Sequence, residues 1–271
     1  MTVGVCIVAA GRRAHLSRAL HSLTMQHRAP DQIVVVALDN QPVSAPGIDV
    51  EIVRRQVRAD EPLPIGAARN LGAAHLTTDA LVMLDVDCIA APDLVDRYDA
   101  VLRRHPAALA CGAVRYLRRG WQHGVDASDT SVLDERSAAP VGRPLPPHGE
   151  TRIDDVHHDL FWSLSFGVAQ PLWDRLGGFD ERFVGYGAED TDLAWRARRL
   201  GVPLAWFSGG TAYHQWHLPA RHDRARVPEL VANAHLFRER WGRWPMSDWL
   251  ADLNRRGWVR FDTDAGVLVA T

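Results

Sequence analysis

The chain has 271 residues, with 31 basic and 33 acidic side chains and a formal net charge of -2. All of the basic residues are arginine, which excludes mechanisms that need a lysine amine, such as a Schiff base or a P-loop lysine. The nearly balanced charge also argues against a nucleic-acid-binding protein, because such proteins need a clear basic excess.

The large aromatic residues are unevenly distributed along the chain. All 10 tryptophans and all 7 phenylalanines lie beyond position 120, and only Tyr98 and Tyr116 precede it among the tyrosines. The sequence therefore combines an aliphatic first part with an aromatic second part. Its apolar fraction of 46% is enough for the core of one large domain.

The cysteines and the hydropathy pattern indicate the cellular context. Cys6, Cys88 and Cys111 are odd in number and lack metal-site spacing, so we expect reduced thiols in the core. No apolar run is long enough to cross a bilayer, and no signal peptide precedes the first apolar run. We expect a cytoplasmic protein without a transmembrane segment, and make no prediction of its oligomeric state.

The first third of the chain alternates apolar runs with helical patterns. We predict strands at 3–10, 33–38, 51–53 and 81–84, with helices at 16–26 and 66–76 between them. This alternation is typical of a mostly parallel, Rossmann-like α/β sheet flanked by helices. Ligands of such sheets bind at the carboxyl ends of the strands, which here lead into Gly11, Asp39 and Asp85.

The remainder of the chain is less regular. A helix is predicted at 92–104 and a strand at 109–117, followed by a long proline-rich loop at 120–154. Further on, we predict ordered structure at 160–169, a strand at 203–206, helices at 170–176, 189–200, 227–241 and 248–255, and a terminal hairpin of 258–261 with 267–270.

Asp85-Val86-Asp87 directly follows a predicted strand. In an extended chain residues i and i+2 point the same way, so both carboxylates can face one cation and its ligand. Hard divalent ions prefer oxygen ligands, and a diphosphate bridged to one or two carboxylates is a usual arrangement for Mg²⁺ or Mn²⁺. The alternative is a solvated strand end.

A second acidic motif occupies residues 185–192 (GYGAEDTD). The glycines allow the backbone to approach a ligand closely, and the carboxylates that follow lie in the first turn of a predicted helix. The helix dipole stabilises acidic residues there, so ordinary N-terminal capping is the alternative interpretation. The dipole would also keep a carboxylate ionised at neutral pH, as a general base must be.

Two further sets of residues could serve the same site. His214 or His217, after Gly209-Gly210, could complete the coordination of a metal held by Asp87, and imidazole ligands would favour Mn²⁺ over Mg²⁺. Arg12, Arg13 and Arg69 are candidate diphosphate contacts because the guanidinium fork matches phosphate oxygens. Surface charge is the alternative for each arginine.

Taken in order, these motifs resemble the GT-A glycosyltransferases, in particular inverting family 2. The first apolar run and residues 66–72 (GAARNLG) are similar to the nucleotide-binding half of that family, with Asp85 and Asp87 as its D-x-D motif. Residues 177–181 (GGFDE) and 189–193 (EDTDL) resemble its acceptor and catalytic half. Residues 185–192 are also similar to the catalytic motif of the β-1,4-galactosyltransferases, which likewise carry a downstream metal-binding histidine.

The resemblance covers about residues 3–217 and implies a GT-A domain at 1–217 with a C-terminal helical and hairpin extension at 218–271. Within the domain it implies a nucleotide-binding half at 1–117, a mobile loop at 118–158, and an acceptor and catalytic half at 159–217.

The resemblance also implies roles for individual residues. Asp87 would bind Mn²⁺ (or Mg²⁺) together with His217 or His214, with His217 favoured by the galactosyltransferase spacing. The nucleotide-sugar donor would lie against residues at or near the strand ends: Ala10, Arg12, Asp39, Arg69, Asp85 and Val86. Of these, Asp85 would contact the ribose or the metal. Asp190 would be the general base, with Glu189 beside it orienting the acceptor. The remaining acceptor contacts would be Tyr186, Gly187, Asp192 and Trp216.

The implied function is the metal-dependent transfer of a sugar from a nucleotide-diphosphate donor, of the UDP-hexose type, to a hydroxyl acceptor with inversion. Indoles stack well on sugar faces, so Trp162, Trp195, Trp206 and Trp216 are candidates for an acceptor pocket, with core packing as the alternative. Two other functions remain open: a retaining GT-A transferase of the polypeptide N-acetylgalactosaminyltransferase type, and a nucleotide-sugar-binding protein without activity.

Overall fold

The computed structural model of the protein describes residues 1–58, 60–123, 129–218 and 223–271. The strands in these ranges are β1 Val3–Ala9, β2 Gln32–Ala37, β3 Glu51–Arg54, β4 Ala80–Leu84, β5 Cys88–Ala90, β6 Leu109–Cys111, β7 Val114–Leu117, β8 Ser137–Ala138, β9 Thr151–Asp154, β10 Ser165–Ala169, β11 Leu204–Phe207, β12 Ala212–His214, β13 Val259–Asp262 and β14 Val267–Ala270. The helices are α1 Arg13–Thr24, α2 Ile65–His75, α3 Leu94–Arg104, α4 Thr130–Glu135, α5 Gln170–Leu176, α6 Glu189–Arg199, α7 Val227–Trp241 and α8 Ser247–Arg255.

Eight strands form the main sheet, in the order β3-β2-β1-β4-β10-β6-β11-β9. The pairs among β3, β2, β1 and β4 are parallel, whereas β10 runs antiparallel to both of its neighbours. Strands buried on both faces need continuous apolar sequences, and β1 (VGVCIVA) and β4 (ALVML) have them. The predicted fold class, a mostly parallel α/β sheet flanked by helices, is confirmed.

Helix α2 lies very close to the sheet. A Cβ atom at Gly72 would be 2.2 Å from Sγ of Cys6 and 3.0 Å from Cγ2 of Val36, so only glycine fits at this position. This contact gives the small-residue run of α2 a packing reason. Cys6, Cys88 and Cys111 are buried and free, as expected for core thiols.

The predicted strand at 109–117 is two strands that belong to different sheets. β6 pairs with β10 and β11 in the main sheet, whereas β7 pairs with β12 and β8 in a second sheet of order β5-β12-β7-β8. Gly112 lies between them, where a Cβ atom would come within 2.8 Å of the Tyr98 hydroxyl. The glycine therefore permits the close approach at the point where the chain changes sheets.

The segment predicted as a loop at 120–154 contains regular structure. Asp129 caps α4 by accepting hydrogen bonds from the backbone N–H groups of Ser131 and Val132. β8 then pairs with β7, and β9 adds antiparallel to β11 at the edge of the main sheet. The continuous loop was a wrong prediction because short strands in a proline-rich context have little periodicity; residues 124–128 lie outside the described ranges.

The C-terminal segment from α7 onward has its own apolar cluster, and it docks on the turn that precedes α6. Nδ2 of Asn233 donates to the carbonyls of Val184 and Tyr186, at 3.1 and 3.2 Å, and the backbone N–H of Tyr186 donates to Oε2 of Glu229 at 3.0 Å. The C-terminal segment therefore holds the backbone of residues 184–186 directly. In the described ranges, no helix combines the length and apolarity needed to span a bilayer.

Candidate active site

The second sheet brings His214 beside the D-x-D motif. β12 runs antiparallel to β5 with His214 opposite Cys88, the residue that follows Asp87. The backbone N–H of Gln215 donates to the carbonyl of Asp87 at 2.7 Å, which extends the pairing by one residue. This register carries the segment of His214 and His217 to the carboxyl end of β4.

Asp87, His214 and His217 form a compact cluster. Their ligand atoms all lie within 4.8 Å of one another, with His217 Nε2 at 3.1 Å from Asp87 Oδ2 and His214 Nε2 at 3.5 Å from Asp87 Oδ1. Asp87 is buried, and its Oδ1 has no hydrogen-bond partner among the described residues. One carboxylate and two imidazoles suit Mn²⁺ better than Mg²⁺, so these residues fit a divalent metal.

The electrostatics of the cluster favour the ligand forms of its side chains. Burial would raise the pKa of Asp87, but the hydrogen bond from His217 and the neighbouring His214 and Arg12 hold it well below its usual range. Burial lowers the pKa of His214, although Asp87 opposes this shift. A carboxylate and a neutral imidazole are the forms that bind a metal.

Two of the three candidate arginines, Arg12 and Arg69, contact other residues of the candidate site. Arg12, in the left-handed conformation (φ 49°) at the start of α1, donates to Oδ2 of Asp87 and has Nη2 3.5 Å from Nδ1 of His217. Arg13 is exposed. Arg69 is buried and joins two acidic motifs: Nη2 is 2.7 Å from Asp85 Oδ1 and Nη1 is 3.3 Å from Glu189 Oε1.

Asp85 and Asp87 do not share one cluster, contrary to the expectation from an extended chain. The backbone N–H of Cys88 donates to the carbonyl of Asp85 at 2.9 Å, so these residues form a turn and the i, i+2 rule for strands does not apply. The carboxylate of Asp85 instead pairs with Arg69. Val86 between them is buried.

Asp39 lies next to the end of β1. Its carboxylate accepts from the backbone N–H of Gly11 and, at 2.9 Å, from that of Gln41. Ala10 directly precedes Gly11, so the candidates that follow β1 and β2 are neighbours at the same edge of the main sheet.

The backbone before α6 adopts an unusual series of conformations. Gly185, Gly187 and Ala188 have φ values of 80°, 100° and 70°, in the region that glycine adopts most easily. Glu189 and Asp190 follow as the first residues of α6, and Asp190 Oδ1 accepts from the N–H of Thr191 at 2.7 Å. The turn thus directs the chain sharply into the helix that carries the proposed base.

Burial changes the titration of this acidic pair. It raises the pKa of Glu189 to about 7, with a further contribution from the charge of Asp190 and an opposing one from Arg69. Burial also raises the pKa of Asp190. The helix dipole favours the ionised form of these carboxylates, but the cost of desolvation outweighs the dipole here. A raised pKa also makes a carboxylate a stronger base once it is ionised.

A cleft of about 450 Å³ lies beside these carboxylates. The cleft is lined by residues of the acidic motif, namely Tyr186, Gly187, Glu189 and Asp190. It is also lined by four tryptophans, two before residue 218 and two in the C-terminal segment: Trp162, Trp195, Trp244 and Trp249. Trp244 and Trp249 were not predicted from the sequence, because a tryptophan in an amphipathic segment has the same pattern in a core and in a cleft.

Three predicted acceptor residues lie in other surroundings. Asp192 is fully buried, and its carboxylate accepts from Arg196, Arg240 and Trp241 at 2.8, 2.7 and 3.0 Å. Trp206 is also fully buried, whereas Trp216 is 41% exposed and packs under the guanidinium of Arg119. This geometry supports a structural role for Asp192 in place of an acceptor contact.

Comparison with known proteins identifies the family. Residues 4–150 match the family described as Glycosyl transferase family 2. The chain is 28% identical over 262 residues to a validoxylamine A glucosyltransferase from Streptomyces hygroscopicus subsp. limoneus, covering 87% of this chain and 56% of that protein. It thus spans about half the length of this relative.

Solved structures share the fold at low sequence identity. A structure of GalNAc-T7 with UDP, GalNAc and Mn²⁺ has a TM-score of 0.58 at 17% identity, over 80% of this chain and 43% of that one. S. aureus TarS residues 1–349 in complex with UDP-GlcNAc has a TM-score of 0.58 at 11% identity, over 89% and 73%. With more than half of its residues matched to the family, the chain belongs to glycosyl transferase family 2.

Proposed function

We propose that this protein transfers a hexose from a UDP-linked donor to a hydroxyl acceptor, with a divalent metal, Mn²⁺ or Mg²⁺, and with inversion at the anomeric carbon. The observation that carries the proposal is the Arg69 bridge. It joins Asp85, two residues before Asp87 at the end of β4, to Glu189, which lines the cleft. The predicted donor and acceptor groups are therefore held next to each other.

The donor side is proposed at the carboxyl ends of β1, β2 and β4. Asp87, His214 and His217 would hold the metal, which when bound would neutralise charge on the leaving diphosphate. Arg12, which contacts Asp87, would contact phosphate oxygens, and Asp39, which contacts Gly11, would accept a hydrogen bond from the nucleoside. The fold neighbours solved with UDP, UDP-GlcNAc and Mn²⁺ support this choice of ligands.

The acceptor side is proposed in the cleft. The carboxylate of Asp190 would remove the proton from the acceptor hydroxyl, while that oxygen forms a bond to the anomeric carbon and the bond from this carbon to the diphosphate breaks. The relative named as a glucosyltransferase supports a hexose as the transferred group. Glu189, held by Arg69, would orient the acceptor.

The proposal is tested with UDP and a panel of UDP-hexoses, beginning with UDP-glucose. Calorimetry should show UDP binding that needs Mn²⁺, and Asp87→Asn should abolish that dependence. Asp190→Asn should keep UDP binding but slow donor turnover at least about a hundredfold, the scale of acid-base catalysis. NMR of the product anomer separates inversion from retention. Metal-independent UDP binding together with no turnover of any donor would reject the proposed function.

A further inference from the structure

The cleft beside Asp190 has aromatic walls suited to a ring-shaped ligand. Five aromatic residues line it: Trp162, Trp195, Trp244, Trp249 and Tyr186. The rings of Tyr186 and Trp249 are stacked on each other, with their centroids 6.0 Å apart and an interplanar angle of 5°. Flat aromatic faces contact the C–H faces of pyranose and cyclitol rings, and they also attract cations. The volume of about 450 Å³ lies within the usual range for small-molecule sites.

One indole in this wall lacks the hydrogen bond that its position requires. Trp244 is 5% exposed, and its Nε1 has no hydrogen-bond partner in the described part of the chain. Indole N–H groups can only donate, and an unpaired buried donor is costly. This nitrogen has almost no solvent-accessible surface, so Trp244 contributes to the apolar wall of the cleft and donates no hydrogen bond to an occupant.

The charge of the cleft is strongly asymmetric. Among the described residues, four acidic side chains line it, those of Asp159, Glu189, Asp190 and Asp248, against one guanidinium, that of Arg243. The charge of Glu189 is offset by Arg69, which lies behind it with Nη1 3.3 Å from Oε1, so the excess comes from the other three. Arg243 itself lies over the ring of Trp195, with Cζ 4.8 Å from the ring centroid. The side chains that line the cleft therefore carry an excess of negative charge, which disfavours an anionic occupant.

We infer that the cleft binds a sugar-like ring that carries a protonated amine, such as an amino sugar or an aminocyclitol. The aromatic walls would hold the ring, and the carboxylates would pair with the ammonium group. The inference rests on the proposed function only in assigning this ligand as the acceptor. Binding itself needs neither donor nor metal.

The test is saturation-transfer NMR on the full chain at pH 7, without nucleotide, using D-glucosamine, N-acetyl-D-glucosamine, D-glucose and D-glucuronate. Glucosamine should bind about tenfold more tightly than the N-acetyl compound, because the latter has no charge to interact with the rings and carboxylates. Equal affinity for these two, preferred binding of glucuronate, or no binding of any probe would overturn the inference.

Two variants locate the binding. Asp159→Asn and Asp248→Asn should each reduce the preference for glucosamine, and in the former the amide oxygen still accepts from Nε1 of Trp195, a contact of 2.8 Å. Asp155→Asn, at an exposed carboxylate that does not line the cleft, is the matched control and should change nothing. An amine preference without any sugar transfer would support this inference while rejecting the proposed function, so the two fail separately.

Discussion

The guanidinium of Arg12 donates to the same carboxylate oxygen of Asp87 that His217 contacts at 3.1 Å. Arg12 is thus an internal cation at the cluster that we assign to the metal. A bound metal would repel this guanidinium, so we expect Arg12 to move away from the carboxylate when a metal binds.

Replacing Arg12 by glutamine should therefore strengthen metal binding in the absence of nucleotide. Because the variant removes one partly exposed positive charge next to the proposed metal ligand Asp87, we expect about a tenfold gain in Mn²⁺ affinity. Electron paramagnetic resonance of free Mn²⁺ measures it, with the exposed Arg13→Gln as control. An unchanged or weaker affinity in the Arg12 variant would show that the arginine does not compete with the metal.

Asp192 should contribute to stability. Asp192→Asn would leave Arg196 and Arg240 facing a neutral group at a fully buried position, and we expect a loss of about 3 kcal/mol in the free energy of unfolding. Urea denaturation measures this loss. Asp252→Asn is the control, because that carboxylate pairs with Arg255 and Arg256 on the surface. Equal effects of the two variants would contradict the structural role.

Glu189 should make stability depend on pH. Its pKa is raised from 4.5 to about 7, so the folded protein binds this proton more tightly than the unfolded chain does. The contribution is present below pH 4.5 and is lost as the pH rises through 7, by up to about 3 kcal/mol. The stability of the wild type relative to Glu189→Gln should therefore fall across this interval. A flat or rising difference in urea titrations would show that the shift is absent.

Gly72→Ala should destabilise the protein because its Cβ would overlap Sγ of Cys6. We expect a loss of about 1–3 kcal/mol from overpacking, partly offset by the better helix propensity of alanine. In a Cys6→Ala background the sulfur is gone, so most of the loss should disappear. Urea unfolding of all four proteins forms a double-mutant cycle, and additive losses would exclude this contact as the cause.

Much of the fold was predictable because several elements have clear terminal signals. Helix α5 begins with a proline in its first turn and ends at Gly177 in the left-handed conformation, and α7 has the same signals with Gly242 at its end. Both bounds were predicted without error. The change of sheet after Cys111 was not, since the sequence of residues 109–117 does not indicate which strands it pairs with.

The candidate site was predictable in its residues but less so in its arrangement. Asp87, His214 and His217 were all selected, yet their proximity depends on the register between β5 and β12, a pairing distant in sequence. Asp192 was assigned to the acceptor because an acidic residue in the first turn of a helix has the same pattern whether it faces a ligand or a buried arginine. Trp244 was not predicted, because a tryptophan in an amphipathic segment has the same pattern whether it lines a cleft or packs in a core.

The docking of α7 on residues 184–186 constrains how this protein can be engineered. The same C-terminal segment that supplies Trp244 and Trp249 to the cleft also holds, through Asn233 and Glu229, the turn that leads to Asp190. If the cleft holds the acceptor as we propose, exchanging this segment for that of a relative should alter acceptor choice and reaction rate together. New acceptor selectivity is better sought by single substitutions along the aromatic wall, which leave the anchoring hydrogen bonds intact.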